Sequence, residues 1–201
     1  MGRMIGSSSI SFDKPPFIIE GASIVGQKEG DGPLGKLFDV VEQDPMLGQE
    51  TWEEAESLLQ KEAIQKLLFK AGMSKEEIRY IFGGDLLGQL IATTFGILEF
   101  EVPFFGLYGA CSTMGEALSL GAVMVEAGNA DNVIAMASSH FASAERQFRF
   151  PLAYGNQRPY AATWTVTGCG AVIISTKKGF AKITGITTGK IVDFGVKDAQ
   201  N

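Results

Sequence analysis

The chain has 201 residues, of which 45% are hydrophobic and 20% charged, and it carries a formal net charge of −6. That composition excludes an intrinsically disordered chain and allows one domain with a sizeable core. The acidic balance, with a pI near 4.9, argues against nucleic acid as a partner, because nucleic-acid binders present clustered excess Lys and Arg.

The first twelve residues hold one early Arg and then Ser7, Ser8, Ser9 and Ser11, where a signal peptide needs an unbroken apolar run, so export by that route is not expected. Phe17 to Val25 reads as a strand, and the Gly-, Pro- and Asp-rich stretch from Gly26 to Gly48 reads as a long loop. Loops of that length are often functional. Thr51 and Glu54 have capping-box spacing, after which Trp52, Ala55, Leu58, Leu59, Ala63, Ile64, Leu67, Leu68 and Ala71 recur at helical period until Gly72. Ser74 and Glu77 repeat the capping box ahead of a short turn, and Arg79 to Gly84 is a strand ending in Gly83-Gly84-Asp85. Leu86 to Leu98 reads as a helix despite Gly88 and Gly96. Thr93, Thr94 and Glu99 keep this stretch short of a membrane span, so membrane contact is expected to be peripheral.

A strand from Val102 to Tyr108, a helix from Met114 to Ala127 stopped by Gly128, and a strand from Asn132 to Ser138 continue the alternation. After His140 comes a polar and aromatic stretch, Phe141 to Thr163, and then strands at Gly168 to Ser175 and Lys182 to Val192. Strands alternating with helices predict an α/β fold whose largely parallel sheet is covered by helices.

The two cysteines, Cys111 and Cys169, lack C-x-x-C spacing, and His140 is the single histidine. Neither zinc nor a disulfide framework is expected, which suits a reducing compartment. Cys111 lies in Gly109-Ala110-Cys111-Ser112-Thr113, where an apolar strand turns into a small-residue helix. The first-turn N–H groups and the helix dipole favour a thiolate there, and equally a carboxylate or oxyanion. The thiol therefore reads as an acyl-carrying nucleophile or as one wall of an anion pocket, beside the plain alternative of a small buried hydrophobe. Asp85 is either a pocket carboxylate, which would work against a thiolate, or a cap on the following helix. His140 is either pocket lining or a structural capping group. Arg146, Arg149 and Arg158 are solvated or partner-facing residues, or else pair with ligand carboxylates. Cys169, between glycines in a strand, reads as a small packing residue.

Gly83-Gly84-Asp85, Ala110-Cys111-Ser112, Ser138-Ser139-His140 and Thr167-Gly168-Cys169-Gly170-Ala171 occur in an order of strands and helices that resembles the thiolase-like superfamily, which includes ketoacyl-acyl-carrier-protein synthases. Within it, Asp31-Gly32-Pro33-Leu34-Gly35, Gly84-Asp85-Leu86-Leu87, the Cys111 pentapeptide and Glu145-Arg146-Gln147-Phe148-Arg149 resemble the stage V sporulation protein AD family over almost the whole chain. The resemblance implies a five-stranded mixed sheet in the order 3-2-1-4-5 layered with helices. Residues 1–178 are then the N-terminal half of a pseudo-twofold pair, and 179–201 begin the C-terminal half, the remainder of which lies beyond this chain. In that order the strands preceding Cys111 and His140 stand three spacings apart, roughly 14 Å at about 4.8 Å per step, while Asp85 ends the strand beside that of Cys111.

For function, the resemblance implies a non-catalytic thiolase fold that binds dipicolinic acid, pyridine-2,6-dicarboxylate, or its calcium chelate, for uptake into a developing spore. The binding residues would be Cys111, Ser112, Asp85 and His140, with no cofactor and no metal of the protein's own. The alternative is a condensing acyltransferase with Cys111 as acyl carrier, whose assisting His and His, or His and Asn, come mostly from the second half. The resemblance also implies a homodimer through the strand at 102–108 and peripheral contact with membrane proteins of the same spore transport system. The location it implies is the bacterial cytoplasm or forespore, peripheral at the spore inner membrane.

Overall fold

The computed structural model describes residues 2–86, 88–148 and 165–197, with 145–148 as backbone only. Strands β1 (Arg3–Ile5) and β2 (Ser9–Ser11) form a hairpin, and the long strand β3 (Phe17–Gly26) follows. The stretch expected to be a loop after Gly26 holds a single helical turn, α1 (Gln27–Gly30), and a short strand, β4 (Val40–Glu42). Val40 and Val41 pair in parallel with Ile24 and Val25, so two β-branched residues extend the sheet where the Gly and Pro content pointed only to turns.

Helix α2 (Trp52–Ala71) begins at Thr51, whose Oγ1 accepts from the Glu54 N–H at 3.2 Å while Glu54 Oε2 accepts from the Thr51 N–H at 3.0 Å. It ends at Gly72, whose φ of 60° suits a residue without Cβ. Strand β5 (Tyr80–Asp85) follows, then helix α3 (Ile91–Ile97), which starts five residues later than the sequence suggests. Gln89 and Leu90 hold φ of 52° and 68°, a left-handed entry that no right-handed helix can contain. Strand β6 is confined to Phe104–Gly106, because Pro103 has no N–H to add to the ladder.

A 3₁₀ turn at Ala110–Ser112 leads into α4 (Thr113–Glu126), followed by β7 (Asn132–Ser139), α5 (Phe141–Phe148) and β8 (Gly168–Ser175). The last expected strand is two shorter ones, β9 (Ala181–Lys182) and β10 (Gly185–Thr187), which pair with β3 and β2 respectively. Arg149 and Arg158 lie outside the described residues, as does the side chain of Arg146.

The main sheet runs β4-β3-β8-β7-β5-β6, with β9 alongside β3. Its fold class is the expected mixed α/β sheet layered with helices, but the strand order differs. Counted along the chain, the five principal strands lie in the order 3-2-4-5-1, not 3-2-1-4-5. The antiparallel β8 inserts between β3 and β7 and pairs with both. The physical reason lies in the faces: β8 directs Cys169, Ala171 and Ile173 into one core and Ile174 into the other. Such a strand needs cover on both sides, whereas β3, with Glu20 and Ser23, is mostly half-buried and takes a position nearer the edge.

One core lies between the sheet and α2, where Leu59, Ala63, Ile64 and Leu67 meet Ile24, Ile81, Ile134, Met136 and Ile173. The other lies beneath α4, where Ala117 and Val125 meet Phe82, Val133, Ala135 and Ile174. The alternation Val133, Ile134, Ala135, Met136 along β7 divides its side chains between them, as the two-residue strand period requires. In this register Asp85, Ser138 and Cys169 come level across β5, β7 and β8, at the end of the sheet from which the Cys111 turn also departs.

Candidate functional site

Cys111 is exposed, in the tight turn between β6 and α4. Ala110 before it holds φ of 49°, an uncommon conformation for a residue with Cβ, and one often associated with functional turns. Ser112 stands at the N-cap of α4 but makes no side-chain cap bond. Its hydroxyl lies 2.8 Å from Gly109 O and is also hydrogen-bonded to the Glu116 carboxylate. The next residue, Thr113, buries its Oγ1 without a hydrogen-bond partner among the described residues. The start of α4 thus joins a helix N-terminus without a side-chain cap, an orphaned hydroxyl and an exposed thiol, with Glu116 complementing the dipole, while the Ser112 and Thr113 N–H groups donate to Gly109 O and Ala110 O of the preceding turn.

The other two expected site residues are engaged elsewhere. Asp85 is fully buried, and its Oδ2 accepts from the Thr93 hydroxyl at 2.8 Å and the Thr93 N–H at 3.0 Å. Its Oδ1 accepts from the Leu90 N–H at 3.2 Å, so the carboxylate caps the entry to α3. His140 is also fully buried, with its ring against Trp52 and Phe141 at centroid distances of 5.3 and 5.1 Å. Nδ1 accepts from the Ala142 N–H at 3.2 Å, which leaves Nε2–H to donate to Pro45 O at 2.8 Å. Burial holds its pKa below the usual imidazole value, against the opposing pull of the Pro45 carbonyl. The neutral ring ties the start of α5 to the 43–48 segment. The observed strand order also puts β6 two spacings from β7, with β5 between them, correcting the three spacings expected for Cys111 and His140.

A buried polar chain that the sequence reading missed runs beside Asp85. Gln60 Nε2 donates to Ser138 Oγ at 2.6 Å and to Thr93 Oγ1 at 3.0 Å. Ser138 in turn donates to Glu56 Oε1 at 2.8 Å, and Ser143 donates to Glu56 Oε2 at 2.9 Å. Burial pushes Glu56 up to about 7; the two serine hydroxyls oppose the shift, and the negative charges of Asp85 and Glu53 add to it. The available signal was Glu56 and Gln60, two polar residues four apart on the otherwise apolar inward face of α2. Cys169, opposite Ser138, is buried, and burial pushes its thiol pKa up, so it holds a neutral packing thiol. Among the described residues no cluster of three or more His, Cys, Asp or Glu side chains is arranged to hold a metal ion.

A mixed sheet between helices, with a cysteine on the turn from an edge strand into a helix directed at the core, defines a thiolase-like fold. Solved structures agree. The 3-oxoacyl-[acyl-carrier-protein] synthase III of Aquifex aeolicus VF5 superposes with a TM-score of 0.55 at 18% identity, over 80% of this chain and 53% of that one. The priming β-ketosynthase of the R1128 polyketide pathway superposes with a TM-score of 0.53 at 16% identity, over 87% of this chain and 52% of that one. The family model for stage V sporulation protein AD matches residues 6–201, and the chain belongs to that family. It is 40% identical over 196 residues to stage V sporulation protein AD of Bacillus subtilis strain 168, covering 98% of this chain and 58% of that protein. The chain therefore spans a little over half the length of the relative it matches.

Proposed function

We propose that the protein binds dipicolinic acid, free or as its calcium chelate, at the start of α4, and that it serves dipicolinate uptake into the developing spore without catalysis. The observation that carries this reading is the contrast between Cys111, exposed at a helix start without a side-chain cap, and His140, buried with both ring nitrogens engaged. The thiol has a site suited to an anion, while the chain's own imidazole is committed to structure. Membership of a sporulation family supports the biological setting.

One ligand carboxylate would lie at the positive end of α4, with Cys111 and Ser112 as the wall. Asp85 is buried, and its two oxygens are taken by Leu90 and Thr93. Glu116 opposes the ligand carboxylate, because its own carboxylate already occupies Ser112. A calcium ion arriving with the ligand offsets that repulsion, since calcium prefers oxygen ligands and neutralises the dianion. Calorimetry on the full-length protein should therefore show tighter binding of the chelate than of free dipicolinate. Equal affinity would remove the calcium preference.

A second reading, acyl transfer through Cys111, is favoured by the exposed thiol and the positive φ at Ala110. Incubation with acyl-CoA followed by intact mass measurement separates the two. The binding reading expects no adduct, and an acyl group on Cys111 would establish the other.

The remaining parts of the proposal concern partners. Strand β6 stands at the end of the sheet, with Phe105 and Tyr108 exposed, and an unpaired edge of this kind is suited to pairing with a second copy. A homodimer through β6, peripheral contact with membrane proteins of the spore transport system, and a position at the spore inner membrane complete it. The described helices include none long and apolar enough to cross a membrane.

A further inference from the structure

The polar chain between α2 and the sheet has a carboxylate at each end and a neutral amide in the middle. Donation runs outward from Gln60, through Ser138 to Glu56 and through Thr93 to Asp85. The charges that face Glu56 are both negative: Glu53 on its own helix and Asp85 on β5. Cys169 on β8 contributes a neutral thiol, His140 after β7 a neutral ring, and Ile91–Ile97 of α3 no charge. An ionised carboxylate at Glu56, facing these negative charges and no cation among the described residues, costs more than a protonated one.

A proton on Glu56 has a place to go. Its Oε2–H would donate to Ser143 Oγ, which lies 2.9 Å away and itself stands 3.1 Å from His140 O. The protonated state thus adds a bond to the carbonyl at the start of α5 and disturbs nothing at Asp85. When the proton leaves, the Ser143 hydroxyl turns back to Glu56, His140 O loses that donor, and the second buried charge draws in water. The entry to α3 beside it is strained, because Gln89 and Leu90 both hold left-handed backbone.

We propose that Glu56 holds a proton at its end of this polar chain, and that its loss loosens the entry to α3, residues 88–93, and the segment after β7, residues 140–144. Glu56 is then a positioning residue, acting through Ser138, Gln60 and Thr93 on one side and Ser143 on the other. Leu90 packs over Gly84 and Gly106, directly before the Cys111 turn, so the same proton regulates access to that turn. This last consequence rests on the binding reading above, while the proton linkage itself does not. Burial has already raised Glu56 to about 7, which places the transition near neutral pH.

Hydrogen exchange of the full-length protein, without ligand, tests the linkage. Protection factors for residues 88–93 and 140–144 should fall at least tenfold between pH 5.5 and 8, with those of α4 unchanged. In Glu56→Gln, which keeps the shape and cannot ionise, they should stay level across that range. Level protection in the wild type, or a step that survives in Glu56→Gln, would overturn the proposal. Infrared titration of the wild type gives an answer even if the variant fails to fold. A protonated-carboxyl band should disappear near pH 7, and its absence at pH 5.5 to 6 would be equally contrary. Dipicolinate enters neither measurement, so failure here leaves the binding reading standing.

Discussion

Cys111 and Glu56 show how differently two reactive groups can be placed a few strands apart. Cys111 is exposed at a helix start, so Cys111→Ala should change dipicolinate affinity only modestly, within about tenfold by calorimetry, because the helix N–H groups supply most of the attraction. Abolished binding would mean that the thiol itself bonds to the ligand. Glu56 is buried with its folded pKa raised from 4.5 to about 7. A carboxyl raised on folding stabilises the native state fully below its unfolded pKa, and that contribution is lost as pH rises through the folded value. Wild type should therefore lose about 3 kcal/mol relative to Glu56→Gln between pH 4.5 and 7.5 in urea unfolding. Parallel stability curves for the two proteins would contradict the assignment. The Cys111 turn was legible in sequence because strand, small residues and helix are consecutive there. For Asp85 and His140 the structural readings, a cap on the following helix and a structural capping group, were open in sequence, but their partners, Thr93 and Leu90 for one and Pro45 for the other, were not, being chosen by chain entry angles that no local pattern encodes.

At the scale of the element, α2 carries the most information. Its capping box, apolar period and terminal glycine lie within a single run from Thr51 to Gly72, and each has a local cause. Thr51→Ala should cost about 1 kcal/mol in chemical unfolding, the usual loss for an N-cap. Leu59→Ala, which empties a fully buried position between α2 and the sheet, should cost about 2 to 5 kcal/mol. If the two variants were equally mild, Leu59 would not be the core anchor described. β8 is the opposite case: its residues announced a strand, but its position between β3 and β7 comes from pairing with segments more than a hundred and about thirty residues away in sequence. A resemblance to a fold family supplied the class of that sheet, and only the ladder itself supplied the order. β4 escaped for a related reason, because three residues amid glycines become a strand only when β3 offers them an edge.

The whole molecule brings three segments to one end of the sheet: the entry to α3, the Cys111 turn and the start of α5. Two of them are held by the buried polar chain, and the third presents the helix start. Light scattering on the full-length protein should give a dimer through the β6 edge, and a monomer would remove that part of the proposal. Dipicolinate proposed to sit at the start of α4 is tested by the rate of Cys111 alkylation by iodoacetamide, located by peptide mass, with and without saturating dipicolinate. Cys169, buried in β8, serves as the internal reference. Dipicolinate should slow labelling of Cys111 severalfold or more while Cys169 remains unlabelled throughout. Unchanged labelling of Cys111 at saturating dipicolinate would contradict it.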